Sequence, residues 1–543
     1  MTSAMSPQEV KAALSEAAEI AFLDVREHGQ YGEGHPFFVV NCPFSVLEAE
    51  APRLVPNRAV RVVLLDNGDG VAERAAHELE TLGYSSVFIL RGGAPAWEAA
   101  GFGLFKGVNV PSKAYGEMVE HDMGTPSVSA EELDAMIGAG EDMVILDGRS
   151  PAEFAKMNIP TARSCPNAEL GLRIGELVMK PQTRIVINCA GRTRSIIGAQ
   201  TLRNLGFTNP IHALRNGSQG WQLAGLTLQY GSQPLPLPEP TDDTLADVAA
   251  RRAAFVELNG LPLVSHDTLQ AWLADDTRTT FLLDVRSAEE FANGTIAGAA
   301  HAPGGQLVQA TDQWIGVRGA RIVLADNRDI RAATTAFWLR RMGHDAVILD
   351  VDTREHAVPA PAERDWTAGL ATISAGEAAT ALSEGAQLID VSPGKAYREG
   401  HIEGAIWAIR PRLAALDLDP ARPLILAGQE PTILCLAAGD LMDMGYADLR
   451  VLPGSPAQWR EAGLAIEATP DVPADADMID FLFFVHDRHD GSLEAARRYL
   501  AWETGLIDQM DAQEKGVFTR GPAPVVESGA AAIAPARTLQ KAR

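Results

Sequence analysis

MVILDGRS at residues 143–150 and RIVINCAGRTRSIIGAQTLRNLGF at residues 184–207 decide the fold. Each opens with a short apolar run that stops at a polar residue, and the second passes directly into a helical pattern closed by Gly206. Short apolar runs bounded by turn residues read as buried strands, and a glycine after a helical run suits the left-handed closing position. The same pair recurs along the chain. One strand ends at Asp24, Asp147, Asp284 and Asp390. A second ends at Asp66, Cys189, Asp326 and Gly428, 42 residues later in the first three copies and 38 in the fourth. The closing glycine, Gly83, Gly206, Gly343 or Gly445, follows 17 residues further on in every copy. A third strand leads to a Gly-containing turn and Trp97, Trp221 or Trp459, whereas the third copy lacks this Trp and reads as trimmed. Matched offsets of β and α runs predict an α/β chain of four tandem domains. Each is a central parallel sheet flanked by helices on right-handed crossovers.

The spans read from the repeat are 6–105, 125–230, 263–352 and 371–466. Residues 106–124 read as a connector, with a lid built on Lys113, Tyr115 and Glu117 as the less favoured reading. Pro234, Pro236, Pro238 and Pro240 mark an extended spacer, and Pro359 and Pro361 a similar one. Residues 467–520 read as a helical extension, and 521–543 as a disordered tail poor in large apolar groups.

The 543 residues carry 46 Lys+Arg against 71 Asp+Glu, a net charge of −25, which argues against nucleic acid or an anionic membrane surface as partner. Four cysteines, Cys42, Cys165, Cys189 and Cys435, with no Cys-x-x-Cys, exclude a disulfide scaffold and offer no zinc spacing. The N-terminus has no secretory pattern and no apolar run reaches the ~18 residues of a membrane span, so a cytoplasmic setting is expected.

Only the second copy places a nucleophile after the central strand: Cys189, then Ala190, Gly191, Arg192, Thr193, Arg194 and Ser195. Backbone N–H groups at a strand-to-helix junction lack partners and, with the helix dipole, favour an anion, here the Cys189 thiolate. Arg192 and Arg194 are expected to recognise an anionic substrate, and Gly191 to let the loop turn tightly.

The motifs DVRSAEEFANGTIAGA (284–299) and DVSPGKAYREGHIEGA (390–405), with the Cys189 loop and the Gly-rich turn before Trp, resemble the rhodanese family. That resemblance implies sulfane-sulfur transfer by double displacement. Cys189 would take sulfur from a small anionic donor as a persulfide and hand it to a thiol acceptor, with no metal or cofactor. The loop N–H groups would hold the outer sulfur and the arginines the leaving sulfite. Copies with Asp66, Asp326 or Gly428 in the slot are expected to be catalytically silent. Related phosphatases carry Arg six residues after Cys, where this chain has Ser195, and the Cys-Gly-x-Gly of mercaptopyruvate-specific relatives is absent. Thiosulfate or a persulfidic thiol is therefore the expected donor. The alternative is a sulfur-relay scaffold in which the silent domains bind a protein acceptor.

Accessory candidates are weaker. Cys165, like Cys42, precedes proline 18 residues after the repeat Asp, where the third copy has Ala302; a small apolar slot is the favoured reading and a sulfur relay the second. Arg149, with Asp147, reads as an ion pair ahead of a substrate contact, Gly148 standing where the family has Val. Arg173 is a candidate for the mouth of the site, and Cys435 reads as core. His486 and His489, beside Asp487 and Asp490, lack a third anchoring motif and read as the lead-in to a capped helix rather than a metal site.

Overall fold

The computed structural model describes residues 3–362, 364–486 and 492–527. Three domains carry a five-stranded parallel sheet of one topology. In the second the order is Ser127–Val128, Ile211–Leu214, Arg184–Asn188, Met143–Asp147, Arg163–Ser164, so the cysteine-bearing strand lies at the centre. The fourth domain keeps four strands, and a parallel bridge from Thr372 to Val451 stands in for the edge. The central strands are buried almost throughout, as near-continuous apolar runs between helical layers require. Strand order reverses between Met143–Asp147 and Arg184–Asn188, which opens a crevice beyond their carboxyl ends.

The repeated residues have structural reasons. Gly83, Gly206, Gly343 and Gly445 all close helices at φ between 76° and 97°. Trp97 and Trp221 are buried, and their indole N–H groups donate to Gly103 O at 3.1 Å and Thr227 O at 3.0 Å. Asp24, Asp147 and Asp284 each bind the guanidinium two residues on. Arg26, Arg149 and Arg286 then donate to Gly34 O, Met157 O and Gly294 O, tying the strand end to the close of the next helix.

The described residues form two compact units. One holds the first and fourth domains with residues 316–318, and the other holds the second and third domains with residues 109–125 and 492–527. Several segments depart from the sequence expectation. The presumed connector 106–124 contains the helix Val110–Met123, with Lys113, Tyr115 and Glu117 buried. The Pro-rich spacer ends in a 17-residue helix, Asp242–Leu258, whose Arg251 donates to Leu205 O at 2.7 Å. Residues 521–527, expected to belong to a disordered tail, instead bond to the folded chain: Val526 donates to Asn204 O at 3.0 Å and Arg341 to Gly521 O at 2.6 Å. Gly206 makes room for that stretch of chain, because a Cβ there would stand 2.2 Å from Val526 O. Residues 528–543, and Asp487, His489 and Asp490 of the rejected metal reading, lie outside the described residues. His486 stacks on Phe481 with ring centroids 4.6 Å apart. Among the described residues no helix is long and apolar enough to cross a membrane.

Candidate active site

Cys189 sits at the carboxyl end of the central strand and is 2% exposed. Its loop turns into the helix Thr193–Asn204. Ser195 Oγ donates to Cys189 Sγ at 3.1 Å, and the Ser195 backbone N–H also bonds the sulfur. The Gly-rich turn clamps this loop from outside. Ser218 N–H donates to Cys189 O at 2.8 Å and Gln219 N–H to Ala190 O at 3.1 Å. Gly217, at φ 52°, is needed here, because a Cβ would meet Cys189 O at 2.2 Å. The motif before Trp221 is therefore part of the site's backbone.

The copies without the cysteine reveal what the slot holds. Asp66 in the first domain accepts the N–H groups of Gly68, Gly70 and Ala72 at 2.8, 3.2 and 3.1 Å, two, four and six residues after it. Asp326 in the third accepts from Ala332 N–H at 2.8 Å, again six residues on, where Ser195 follows Cys189. In the fourth domain Leu434 and Val391 side chains close over Gly428, both 3.1 Å from its Cβ position. The loop thus seats a hydrogen-bond acceptor, filled in two copies by a built-in carboxyl group, and in the fourth domain it is closed by apolar side chains.

Arg192 and Arg194 do not stand open to a substrate, contrary to the expectation that they recognise its charge. Arg192 donates to Glu117 at 2.6 and 2.9 Å, to Glu120, and to Asn216 at 3.1 Å. Arg194 makes a two-pronged pair with Glu153, both bonds at 2.7 Å, and contacts Gln306 of the third domain at 3.3 Å. The forks that suit an oxyanion are already occupied by carboxylates whose sequence positions are remote. Burial pushes Glu117 up to about 7 in spite of Arg192. Glu153 goes the other way: burial opposes it, but the Arg194 charge and hydrogen bonds hold it well below the usual carboxylate range.

For Cys189, burial raises the thiol's pKa, and the Arg194 charge with the Ser195 hydrogen bonds only partly opposes this. The expectation of a favoured thiolate therefore fails for this closed arrangement, in which desolvation outweighs the loop donors.

The accessory candidates separate. Arg149 binds Asp147 through Nε and Nη2 and Met157 O through Nη2, the ion pair that the sequence favoured. Arg173 reaches away from the loop, to Glu169 at 3.1 Å, Pro238 O at 2.9 Å and Glu239 at 3.2 Å, and so fastens the Pro-rich spacer rather than lining a mouth. Cys165 is buried and donates its N–H to Asp147 O, as Cys42, Ala302 and Ala408 do to the matching Asp of their own domains. Burial drives its thiol's pKa far up. Cys435 is half-buried on the helix Pro431–Asp443.

Three contributors were not legible in the sequence. Asn167 donates to Arg194 O at 2.9 Å, and Gly148 leaves it room, since a Cβ there would stand 2.0 Å from Asn167 Oδ1. The Gly148 substitution was the available signal. Gly116 lets the helix Val110–Met123 lie on the loop, its Cβ position 2.8 Å from the Thr193 methyl. Glu503, from the helix Leu493–Thr504, accepts from Thr193 Oγ1 at 3.1 Å.

The family model for the rhodanese-like domain matches residues 6–100, 129–224, 265–353 and 374–462. The chain belongs to the rhodanese-like domain family. Among known proteins it is similar to a thiosulfate sulfurtransferase of Azotobacter vinelandii, 27% identical over 242 residues, 37% of this chain and 88% of that one. It is also similar to a sulfurtransferase of Allochromatium vinosum, 30% identical over 102 residues, 19% of this chain and 92% of the other. Among solved structures, the thiosulfate sulfurtransferase of Pseudomonas aeruginosa matches with a TM-score of 0.87 at 37% identity, covering 96% of this chain and 100% of that one. All of these relatives carry the name sulfurtransferase.

Proposed function

We propose that this protein is a sulfurtransferase that carries sulfane sulfur on Cys189, from thiosulfate or a related persulfidic donor to a thiol acceptor. The observation that carries the reading is the loop's set of N–H donors to a seated acceptor. Where the first and third domains fill the slot with Asp66 and Asp326, the second domain alone offers a nucleophile, Cys189, in the same position. The names of the relatives support the reaction class.

The Cys189 thiolate attacks the outer sulfur of thiosulfate, the old S–S bond breaks, and sulfite departs with its electron pair. The outer sulfur remains as a persulfide. An acceptor thiolate then takes that sulfur, and Cys189 is regenerated, so kinetics are ping-pong. By correspondence with the donors around Asp66, the N–H groups of Gly191, Thr193 and Ser195 hold the anionic sulfur, and Ala190 spaces the turn. Arg194 acts through its charge on the Cys189 sulfur, and Arg192 fixes the loop against the helix Val110–Met123. Four free cysteines fit a reducing, cytoplasmic setting.

Intact mass after incubation with thiosulfate tests this reading. Wild type should gain one sulfur, about 32 Da, and Cys189→Ser none. An adduct that survives in Cys189→Ser would move the nucleophile to another cysteine, and no adduct in wild type would remove thiosulfate as donor.

A further inference from the structure

Glu503 comes from outside the four repeats, yet it faces the active loop. Its side chain is 2% exposed, and while Oε1 accepts from Thr193, Oε2 has no hydrogen-bond partner. Oε2 lies 3.0 Å from where a Cβ on Gly191 would stand, and Nε2 of the buried Gln219 lies 3.6 Å from the same point. Neither polar atom of that amide has a partner. Buried polar atoms are nearly always paired, so this group of orphaned atoms beside the nucleophile's loop calls for a functional reason.

The charges around the loop narrow the reason. Arg192 is matched by Glu117 and Glu120, and Arg194 by Glu153, before Glu503 is counted. Lys113 lies over the Trp502 and Tyr499 rings, at 4.9 and 5.3 Å from their centroids, on the neighbouring helix face. Glu503 also opposes ionisation of Cys189, which burial already disfavours and Arg194 and Ser195 favour. Around the loop, the carboxyl groups of Glu117, Glu120, Glu153 and Glu503 therefore outnumber the guanidinium groups of Arg192 and Arg194.

We propose that Glu503 is a specificity-determining residue that selects against dianionic sulfur donors and toward donors of lower negative charge, such as thiol-borne sulfur. The inference rests on Cys189 as the sulfur carrier. Two probes separate charge from chemistry. Thiosulfate is a dianion and methanethiosulfonate a monoanion. Each gives its outer sulfur to the Cys189 thiolate as the old S–S bond breaks, with the electron pair leaving on sulfite or methanesulfinate respectively.

The test measures single-turnover persulfide formation by intact mass in the full-length wild type, Glu503→Gln and Glu503→Asp. The Gln variant keeps the size and the acceptor for Thr193 while removing the charge. Its ratio of thiosulfate to methanethiosulfonate rate constants should rise about tenfold, the effect of one like charge at short range in a partly screened site. Glu503→Asp should stay near the wild-type ratio, and added salt should raise the ratio more in wild type than in Glu503→Gln. An unchanged ratio in Glu503→Gln overturns the proposal. So does an equal loss with both donors, which a purely structural role would give. No adduct with either donor in wild type overturns the Cys189 reading itself, and this inference with it.

Discussion

At the scale of the residue, the Cys189 thiol is set by opposing influences. Burial favours the protonated form, and the Arg194 charge with the two Ser195 hydrogen bonds favours the thiolate; burial prevails. The raised value implies that thiolate is scarce at neutral pH and that reactivity climbs with pH beyond the ordinary thiol value of 9.0. Since the folded state holds this proton more tightly than the unfolded chain, the group's contribution to stability is complete below that ordinary value. It is lost as pH rises through the folded one. Iodoacetamide labelling of Cys189, followed by peptide mass from pH 6 to 10, should rise about tenfold per pH unit without a plateau below pH 9. A plateau near neutrality would mean that the loop donors outweigh desolvation.

Elements explain which parts of the site the sequence disclosed. The strand leading into Cys189, the helix beginning at Thr193 and the closing Gly206 are local patterns, and repetition amplified them into a readable architecture. The family resemblance was legible for the same reason. The helix Val110–Met123 has no counterpart among the repeats, and its apolar and charged residues are buried together, so no amphipathic stripe announced it. The partners of the two arginines were equally hidden. Glu117 stands 75 residues from Arg192, and Glu153 stands 41 from Arg194. A pair of arginines in a short loop is the same string of letters whether it awaits a substrate or is already satisfied by distant carboxylates. Gly148 departs from the family's Val, but the cause, the Asn167 amide against that backbone, emerges only when the 3-10 turn Asn167–Glu169 is placed. That contact is open to test. Gly148→Val restores the family's residue but drives a Cβ to 2.0 Å from Asn167 Oδ1, which should cost about 1–3 kcal/mol by overpacking and release Arg194 O from its donor. Chemical denaturation should register the loss, and persulfide formation should fall with it. Gly148→Val combined with Asn167→Ala should recover most of the stability and little of the rate.

At the scale of the whole molecule, the cysteine-bearing domain is tied to its neighbours in the chain. Within its unit, the third domain supplies Arg331 to Glu169 at 2.9 Å, Trp338 Nε1 to Thr201 Oγ1 at 2.8 Å, and Gln306 to Arg194 and Glu153 at 3.3 and 3.2 Å. A domain with Asp326 in the slot thus holds the helix and loop of the one that carries Cys189. The C-terminal segment completes the enclosure. Beyond Glu503 at Thr193, Arg520 pairs with Asp122 at 2.6 Å, and Phe518 stacks on Tyr115 with ring centroids 5.4 Å apart. Val526 crosses the closing glycine of the active helix. Of these contacts Glu503 lies on the Cys189 loop itself, and a chain ending at residue 491 would lose it together with the rest of the last group. Such a truncation should label at Cys189 at least about tenfold faster at pH 8 than full length, because exposure lowers the desolvation that holds the proton. Circular dichroism would establish that the sheets persist, and Cys165, held between strand and helix, should stay slow in both chains and serve as the internal reference. Equal labelling of Cys189 in the two chains would mean that its enclosure is made by the helix Val110–Met123 and the third domain alone. The fast labelling expected here would instead assign to residues 492–527 control over when the sulfur carrier meets its donor.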